Sequence, residues 1–250
     1  MKTSGNTILI TGGSSGIGRA LAQRLHDLGN DVIVAGRRHE ALEETATGRD
    51  GIHAMTVDVE DATDLRRFAK AVVERFPALN VLINNAGIMR YEDASAQRDL
   101  ADAEATVVTN LLGPIRLIDA LVDHLSTQPD SAIVNVTSGL AFVPFPKAPT
   151  YSATKAALHS YTQALRVQLK SKVEVIELAP PGVQTDLTPG QATRPGYQPL
   201  EEFADEIVEL LKANPDAPEI LVERVKPLRF AEREGQHDAA LARLAASSRG

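Results

Sequence analysis

The sequence predicts an α/β fold in which helices cover both faces of a parallel sheet. Short β-branched runs alternate along the chain with longer segments of helical period, a pattern typical of such sheets. A glycine-rich turn follows the first run. With 250 residues, 43% of them hydrophobic, the chain is long enough for one sizeable core. We therefore expect a single domain over residues 1–250.

Six segments have the composition and length of buried strands. Each is short, apolar and rich in valine or isoleucine, and a helix-like stretch follows it. The predicted strands are Thr7–Thr11, Asp31–Ala35, Ile52–Val57, Val81–Asn84, Ala132–Val136 and Val173–Leu178.

Two later segments depart from plain alternation. Residues 101–125 are helical in pattern but contain Gly113-Pro114. Because proline removes a helix donor and restricts the preceding residue, we expect a kink or break near residues 110–114. Residues 183–200 are dense in proline, glycine, threonine and glutamine, and such long loops are typical of lids or binding loops.

Composition argues against several classes of function. The formal net charge of −7 leaves no basic stripe for nucleic acid. We expect no window of the roughly eighteen apolar residues that a membrane span needs, and no signal peptide is visible, so we expect a cytoplasmic protein without membrane contact. With no cysteine, and six histidines that form no ligand-spaced cluster, we expect no metal.

The turn after the first strand, Thr11–Gly18, reads TGGSSGIG. Glycines at 12, 16 and 18 leave bare backbone at the positive end of the following helix, where a diphosphate can bind. The spacing is T-G-x-x-x-G-x-G rather than G-x-G-x-x-G. A dinucleotide site is therefore indicated, with a ligand-free tight turn as the alternative.

Several motifs together resemble the short-chain dehydrogenase/reductase family, from about Thr7 to Thr185. They are TGGSSGIG, NNAG at residues 84–87, Asn110, Ser138 and YSATK at Tyr151–Lys155. The resemblance implies a doubly wound, Rossmann-type sheet of about seven parallel strands in three α/β/α layers. It also implies hydride transfer between a nicotinamide cofactor and a carbonyl or alcohol substrate.

The region after the second predicted strand bears on the choice of cofactor. Dinucleotide folds that take NAD usually carry an acidic residue about twenty positions beyond the glycine turn. Here Arg37 and Arg38 occupy that region. Since arginine can pair with a 2′-phosphate, we expect NADP(H), while NAD(H) stays open. Two arginines on a solvated turn are the alternative interpretation.

The remaining cofactor contacts follow from the resemblance. Asp58 and Val59 are expected near the adenine, with a strand-end turn as the alternative for Asp58. The segment after the sixth strand is expected behind the nicotinamide. In full, the predicted cofactor residues are Gly12, Ser14, Ser15, Gly16, Ile17, Gly18, Arg37, Arg38, Asp58, Val59, Asn84, Ala86, Gly87, Tyr151, Lys155, Pro181, Gly182, Val183 and Thr185.

Tyr151 and Lys155 stand one turn apart if residues 150–170 are helical. Lowering a tyrosine pKa from about 10 by about three units requires roughly 4 kcal/mol. A lysine charge about 4 Å away supplies on the order of 4 kcal/mol at an effective dielectric near 20. We therefore expect Lys155 to lower the pKa of Tyr151. His159, one turn further, is expected at an exposed position, with the pocket or a subunit partner as alternatives.

The resemblance implies roles for four catalytic residues. Tyr151 would exchange a proton with the substrate oxygen, and Lys155 would also hold the nicotinamide ribose. Ser138 would donate a hydrogen bond to the same oxygen. Asn110 would hold a water that connects Lys155 to solvent. Taken singly, each residue also has an ordinary structural explanation.

Substrate contacts are expected from Leu140, Phe142, Phe145 and the loop at 184–197. Because this set is apolar with few charges, it favours a small to medium neutral substrate, although core packing explains the aromatic residues nearly as well.

The last quarter of the chain departs from the family pattern. A charged, helical tail is expected over about residues 223–250, similar to the DltE-like branch of oxidoreductases. Three alternatives are open for this tail: it covers the substrate loop, it forms a dimer face, or it frays at the end of the chain. The resemblance also implies a homodimer or homotetramer through residues 101–125 and 151–170.

Three functions fit the sequence. The first is an NADP(H)-dependent reductase or dehydrogenase. The second is a nucleotide-responsive regulatory protein without turnover, which has no need of Ser138, Tyr151 and Lys155. The third is an epimerase or dehydratase, which usually requires a larger substrate domain.

Overall fold

The computed structural model describes residues 1–246 and contains a seven-stranded, fully parallel sheet between two layers of helices. The predicted doubly wound α/β fold is confirmed. The strands are β1 Thr7–Thr11, β2 Asp31–Gly36, β3 Ile52–Thr56, β4 Leu79–Asn84, β5 Ala132–Val136, β6 Glu174–Leu178 and β7 Glu219–Ile220. Their order across the sheet is β3-β2-β1-β4-β5-β6-β7.

The helices follow the strands in regular succession until β7. They are α1 Gly16–Asp27, α2 His39–Ala46, α3 Ala62–Arg75, α4 Ala101–Val107, α5 Gly113–Leu125, α6 Pro149–Gln168, α7 Leu200–Ala213, α8 Lys226–Arg229 and α9 His237–Ala246. A π-helical turn, Val108–Leu112, joins α4 to α5, and a 3₁₀ turn, Gly139–Ala141, follows β5.

Two hydrophobic cores lie on opposite faces of the sheet. Ile8 and Ile10 of β1 pack in one core and Leu9 packs in the other, because successive side chains of a strand point to opposite faces. All three are fully buried. Burial on both faces explains why these strands appear in the sequence as continuous apolar runs.

The strand order reverses beside β1, which pairs with β2 on one side and β4 on the other. Helical connections leave these neighbouring strands toward opposite faces, which opens a crevice beyond their carboxyl ends. The fold therefore places the TGGSSGIG turn and the NNAG segment at the mouth of that crevice.

Residues 101–125 form one helix, and a π-helical turn at Val108–Leu112 stands where the sequence predicts a kink or break. Gly113 and Pro114 begin α5, where proline is tolerated because the first N–H groups of a helical segment need no intrahelical acceptor.

The same helix corrects the expectation about apolar windows. Within residues 1–246, Ala101–Leu125 alone is long and apolar enough to cross a membrane by length and composition, with a mean hydropathy of 1.4. In the structure it belongs to a helical layer, where Leu117, Leu121 and Leu125 pack against the sheet.

The tail packs against the body of the protein as far as the structure describes it. A 3₁₀ turn, α8 and α9 cover residues 223–246, and Ala231 and Ala240 are buried there with Val143. The predicted tail residues 247–250 lie outside the described residues.

Candidate active site

The glycine turn is held against the segment that follows β4. Gly12 has φ +68°, and a Cβ there would lie 2.9 Å from the Cα of Ala86. The Asn85 side chain donates hydrogen bonds to the Thr11 and Gly12 carbonyls at 3.0 and 3.3 Å. A side chain at position 12 would therefore force these two segments apart, so the close approach requires glycine.

The first turn of α1 is open toward the crevice. This helix begins at Gly16 after Ser15, whose side chain makes no capping hydrogen bond. The first N–H groups of a helix have no intrahelical acceptor and carry partial positive charge. Thr185 lies across from them, since a Cβ at Gly16 would be 3.4 Å from its Cγ2. The arrangement provides donors for a diphosphate.

Arg38 lies beside the glycine turn. Its Nη2 donates to the hydroxyls of Ser14 and Ser15 at 3.2 and 3.3 Å. The neighbouring Arg37 lies against Glu60 instead, with its Nη1 3.4 Å from a carboxylate oxygen. One guanidinium and two hydroxyls thus converge where β2 ends, which is a suitable environment for a phosphate.

The catalytic candidates meet at the carboxyl ends of β5 and β6. Ser138 follows β5, and Tyr151 and Lys155 project from α6. Tyr151 is 7% exposed and Lys155 is 4% exposed. The helix spacing predicted from the sequence is therefore realised, and the three side chains line one cleft.

Burial dominates the acidity of Tyr151. It raises the pKa of Tyr151 to about 12, although the Ser138 hydroxyl acts in the opposite direction through a hydrogen bond. This differs from the expectation that Lys155 lowers the pKa. The Nζ atom of Lys155 lies 5.7 Å from the Tyr151 ring centroid and donates instead to the Val136 carbonyl at 2.7 Å.

Lys155 is itself perturbed by the low-dielectric surroundings. Burial lowers the pKa of its ammonium group from 10.5 to about 8. Near neutral pH most Lys155 side chains are therefore still protonated, but a larger fraction is neutral than for an exposed lysine.

Asn110 lies in the π-helical turn and is fully buried. Its Oδ1 accepts from the Ile88 N–H and its Nδ2 donates to the Ile88 carbonyl, both at 2.9 Å. A further contact joins Nδ2 to the Thr154 hydroxyl at 3.3 Å. Asn110 therefore fixes the segment beside Gly87, and the water relay stays a prediction.

A cleft of about 480 Å³ unites these groups, a volume typical of ligand sites. The predicted residues that line it are Gly12, Ser14, Ser15, Gly16, Ile17, Arg37, Arg38, Val59, Ala86, Gly87, Ser138, Tyr151, Lys155, Pro181, Val183 and Thr185. Its remaining lining includes residues that the sequence analysis did not select: Gly36, Val57, Glu60, Asn85, Ile88, Arg90, Thr109 and Thr137.

The other predicted cofactor and catalytic residues are not part of this lining. They are Gly18, Asp58, Asn84, Asn110 and Gly182. Asn84 donates to Asn135 at 2.9 Å inside the sheet, and Asp58 accepts from the N–H two residues on. A Cβ at Gly182 would meet the Tyr197 ring at 3.0 Å. The NNAG motif thus contributes its second asparagine, Asn85, to the cleft.

An apolar cluster, the pocket cluster, adjoins the Tyr151 side chain. It comprises Met89, Phe145, Ala148 and Tyr151, with Leu140, Leu187 and Leu244 packed against them. Two of the expected substrate contacts, Leu140 and Phe145, belong to it.

Phe142 does not belong to the pocket cluster. Its ring packs edge-on against His159, with ring centroids 4.9 Å apart. The expectation of an exposed His159 is wrong as well, because Nδ1 contacts the buried Glu177 carboxylate at 2.7 Å.

The donor set fits a phosphorylated dinucleotide. One side of the cleft is lined by the glycine turn, by the uncapped N-terminus of α1 and by the Arg38 guanidinium beside two hydroxyls. Lys155 lines the other side. These groups offer hydrogen bonds and positive charge, which are the complement of phosphate and ribose oxygens.

A family model, described as short chain dehydrogenase, matches residues 6–195. The chain belongs to the short-chain dehydrogenase family. This confirms the resemblance drawn from the motifs and shows that the protein is an oxidoreductase.

Individual relatives agree with the assignment. The chain is 42% identical over 239 residues to the oxidoreductase DltE of Bacillus subtilis, covering 93% of this chain and 94% of that one. A short chain dehydrogenase from Burkholderia cenocepacia, solved with NADP, superimposes with a TM-score of 0.81, at 26% identity over 98% and 99% of the two chains.

A third comparison shows that the cofactor varies among neighbours. A 3-ketoacyl-(acyl-carrier-protein) reductase from Brucella melitensis, solved with NADH, has a TM-score of 0.75 at 25% identity, covering 87% of this chain and 93% of that one. The neighbours thus bind NADP or NADH, and the cofactor preference of this chain depends on its own residues.

Proposed function

We propose that this oxidoreductase transfers a hydride between NADP(H) and a carbonyl or alcohol group of a small to medium, neutral substrate. The main support for this proposal is that Ser138, Tyr151 and Lys155 line the same cleft as the glycine turn. The nicotinamide cofactor, when bound, supplies or accepts the hydride. The chain itself must bind the substrate oxygen and exchange a proton with it.

Tyr151 is the proposed acid and base. Because burial raises its pKa to about 12, it stays protonated near neutral pH and can donate to a carbonyl oxygen during reduction. Ser138 donates a second hydrogen bond to that oxygen and stabilises its developing charge. Lys155, charged below pH 8, favours the phenolate once the proton has left.

NADP(H) is the proposed cofactor because of Arg38. Its guanidinium lies on Ser14 and Ser15 without a paired carboxylate among residues 1–246. A 2′-phosphate there gains charge-assisted hydrogen bonds, whereas a 2′-hydroxyl gains little. The glycine turn and Thr185 would hold the diphosphate, and Lys155 the nicotinamide ribose.

The decisive experiment measures NADPH oxidation with a panel of aldehydes, ketones and quinones for the parent protein and Tyr151→Phe. We expect turnover to fall by at least about a hundredfold in the variant, the scale of general acid catalysis, with NADPH affinity unchanged. Tyr161→Phe is the matched control, since it makes the same change ten residues further along α6. Turnover that survives in Tyr151→Phe excludes the assigned acid.

The same experiment separates the regulatory alternative. NADPH binding without turnover of any carbonyl compound would favour a nucleotide-responsive protein over the proposed reductase. Cofactor that stays bound through purification would favour the epimerase or dehydratase.

We also propose that the protein is a homodimer or homotetramer. Val107 at the end of α4 is 36% exposed, and Val167 of α6 is 76% exposed. Such side chains gain free energy when a subunit interface covers them. Light scattering after size exclusion measures the assembly directly. A cytoplasmic location stays a prediction.

A further inference from the structure

We propose that Arg19 is a positioning residue for the cofactor: it fixes Arg38 relative to the glycine turn and thereby determines how strongly the protein prefers NADPH to NADH. The inference rests on the proposed function and concerns the same cofactor site. Within residues 1–246, the cleft lining includes Ser14, Ser15 and Arg38. Arg19 is not part of that lining, so its effect on the cofactor must pass through other residues.

The proposed 2′-phosphate site is divided between two segments of the chain. The glycine turn supplies the hydroxyls of Ser14 and Ser15, and the start of α2 supplies the guanidinium of Arg38. Arg38 is the N-cap of α2, and its carbonyl accepts from the Leu42 N–H at 3.1 Å. Its backbone is therefore tied to the first turn of that helix. A phosphate bound between the two segments requires a defined distance between the glycine turn and α2.

Arg19 joins these two segments through one guanidinium nitrogen. The side chain projects from α1, and its Nη2 donates to the Ser14 carbonyl at 2.7 Å and to the Ala41 carbonyl at 3.1 Å. Ser14 lies in the glycine turn, whereas Ala41 lies in the first turn of α2. Because the donors of a guanidinium form a rigid fork, they hold such acceptors in a defined geometry. Arg19 thus connects both halves of the phosphate site.

Thr45 makes a second link between the same two segments. It is fully buried, and its hydroxyl oxygen accepts from Arg19 Nε at 3.1 Å. The hydroxyl donates toward the Gly13 carbonyl at 3.0 Å and the Ala41 carbonyl at 3.1 Å. The two side chains therefore bind consecutive carbonyls of the glycine turn from the side of α2, which fixes the turn relative to that helix.

Arg19 acts on the cofactor by geometry and not by its charge. Its Nη2 pairs with the Glu44 carboxylate at 3.0 Å, and the opposite charges of such a pair largely cancel at a distance. Arg38 has no carboxylate partner among residues 1–246 and supplies the charge that a phosphate requires. NADH carries a hydroxyl in place of the 2′-phosphate, so displacing Arg38 weakens NADPH binding selectively.

The test compares the affinities for NADPH and NADH, measured by fluorescence titration, between the parent protein and Arg19→Met. Methionine retains much of the side chain but removes its donors. Losing hydrogen bonds between a charged group and its partner costs about tenfold to a hundredfold in affinity. Because Arg19→Met displaces Arg38 without removing it, we expect the preference for NADPH to fall about tenfold, the lower end of that range. NADH affinity should barely change.

A double-mutant cycle shows whether Arg19 acts through Arg38. Residues that act as a unit give non-additive effects, whereas independent sites give additive ones. Arg19→Met should therefore leave the ratio of affinities unchanged in an Arg38→Ala background. Arg19→Lys keeps the charge but not the fork of donors, so it should resemble Arg19→Met. Thr45→Val removes an uncharged hydroxyl and should lower the preference for NADPH in the same direction.

Arg24→Met is the matched control. Arg24 projects from the same helix, α1, but pairs with Glu201 and Asp205 of α7 and not with α2. It should leave the ratio of affinities unchanged. A general loss of folding would weaken the binding of NADPH and NADH together, so it would not change the ratio either.

An unchanged ratio in Arg19→Met or in Thr45→Val overturns the inference. Additive effects in the cycle, or an Arg19→Lys variant that keeps the full preference for NADPH, overturn it as well. A parent protein that binds NADPH and NADH equally contradicts the NADP(H) proposal together with this inference. Failure of the proposed catalysis is a separate result, because it is turnover that survives in Tyr151→Phe, and nucleotide binding requires no turnover.

Discussion

Replacing Lys155 with methionine should flatten the rise of protein stability with pH. The folded protein holds Lys155 with a pKa lowered from 10.5 to about 8 by burial. Between these two values the unfolded chain binds more protons than the folded protein does. The free energy of unfolding therefore rises with pH in this window, and the cost of burying the charge is fully present below pH 8.

The magnitude follows from the size of the pKa change. A difference of about 2.5 units corresponds to about 3 kcal/mol in total. About 1.3 kcal/mol of it is recovered between pH ~7 and ~9, from the fraction of protonated lysine in each state. Loss of the bond from Lys155 to the Val136 carbonyl shifts the variant's whole curve without changing its slope.

Urea unfolding at several pH values measures this difference. Far-UV circular dichroism is the suitable signal because the chain has no tryptophan. Lys70→Met is the control, since the Lys70 side chain is 80% exposed. Tyr151 enters only above pH 10, where its raised pKa lowers stability as pH rises. Parallel curves for the parent protein and Lys155→Met would refute the reasoning.

Two further substitutions test the cofactor site. Arg38→Ala should weaken NADPH binding about tenfold to a hundredfold, the range for hydrogen bonds to charged groups, while NADH binding barely changes. Arg37→Ala should have a smaller effect because its side chain is 59% exposed and faces a carboxylate. NADPH fluorescence titration measures both affinities. Equal effects of the two substitutions would contradict the assignment of Arg38 to the 2′-phosphate. Gly12→Ala should abolish nucleotide binding because its Cβ has no space, whereas Gly190→Ala, also at positive φ but in open surroundings, should cost only about 1 kcal/mol of stability. Normal NADPH affinity in Gly12→Ala would show that the turn does not hold the cofactor.

The sheet could be predicted because its signals are local. The strands β1, β2, β4, β5 and β6 are buried on both faces, so their apolar runs are continuous and visible without knowing their neighbours. The glycine turn could be predicted as well, because the positive φ of Gly12 and its close contact with Ala86 require glycine at this position. Tyr151 and Lys155 share one helix, where a spacing of four determines the face they occupy.

Side chains whose partners lie far along the sequence could not be placed in this way. Asn84 and Asn85 are adjacent and identical in type, yet one bonds within the sheet and the other holds the glycine turn. His159 points inward because it contacts Glu177 of β6. Glu177 is fully buried between apolar residues of its strand, and the sequence does not predict that contact. In both cases the side of the backbone, and not the residue type, decides the role.

The acidity of Tyr151 differs from the sequence prediction for a related reason. A pairwise calculation with Lys155 treats the dielectric as given, whereas burial removes water from around both groups. Burial raises the pKa of the tyrosine and lowers that of the lysine, so both changes oppose formation of the phenolate–ammonium pair.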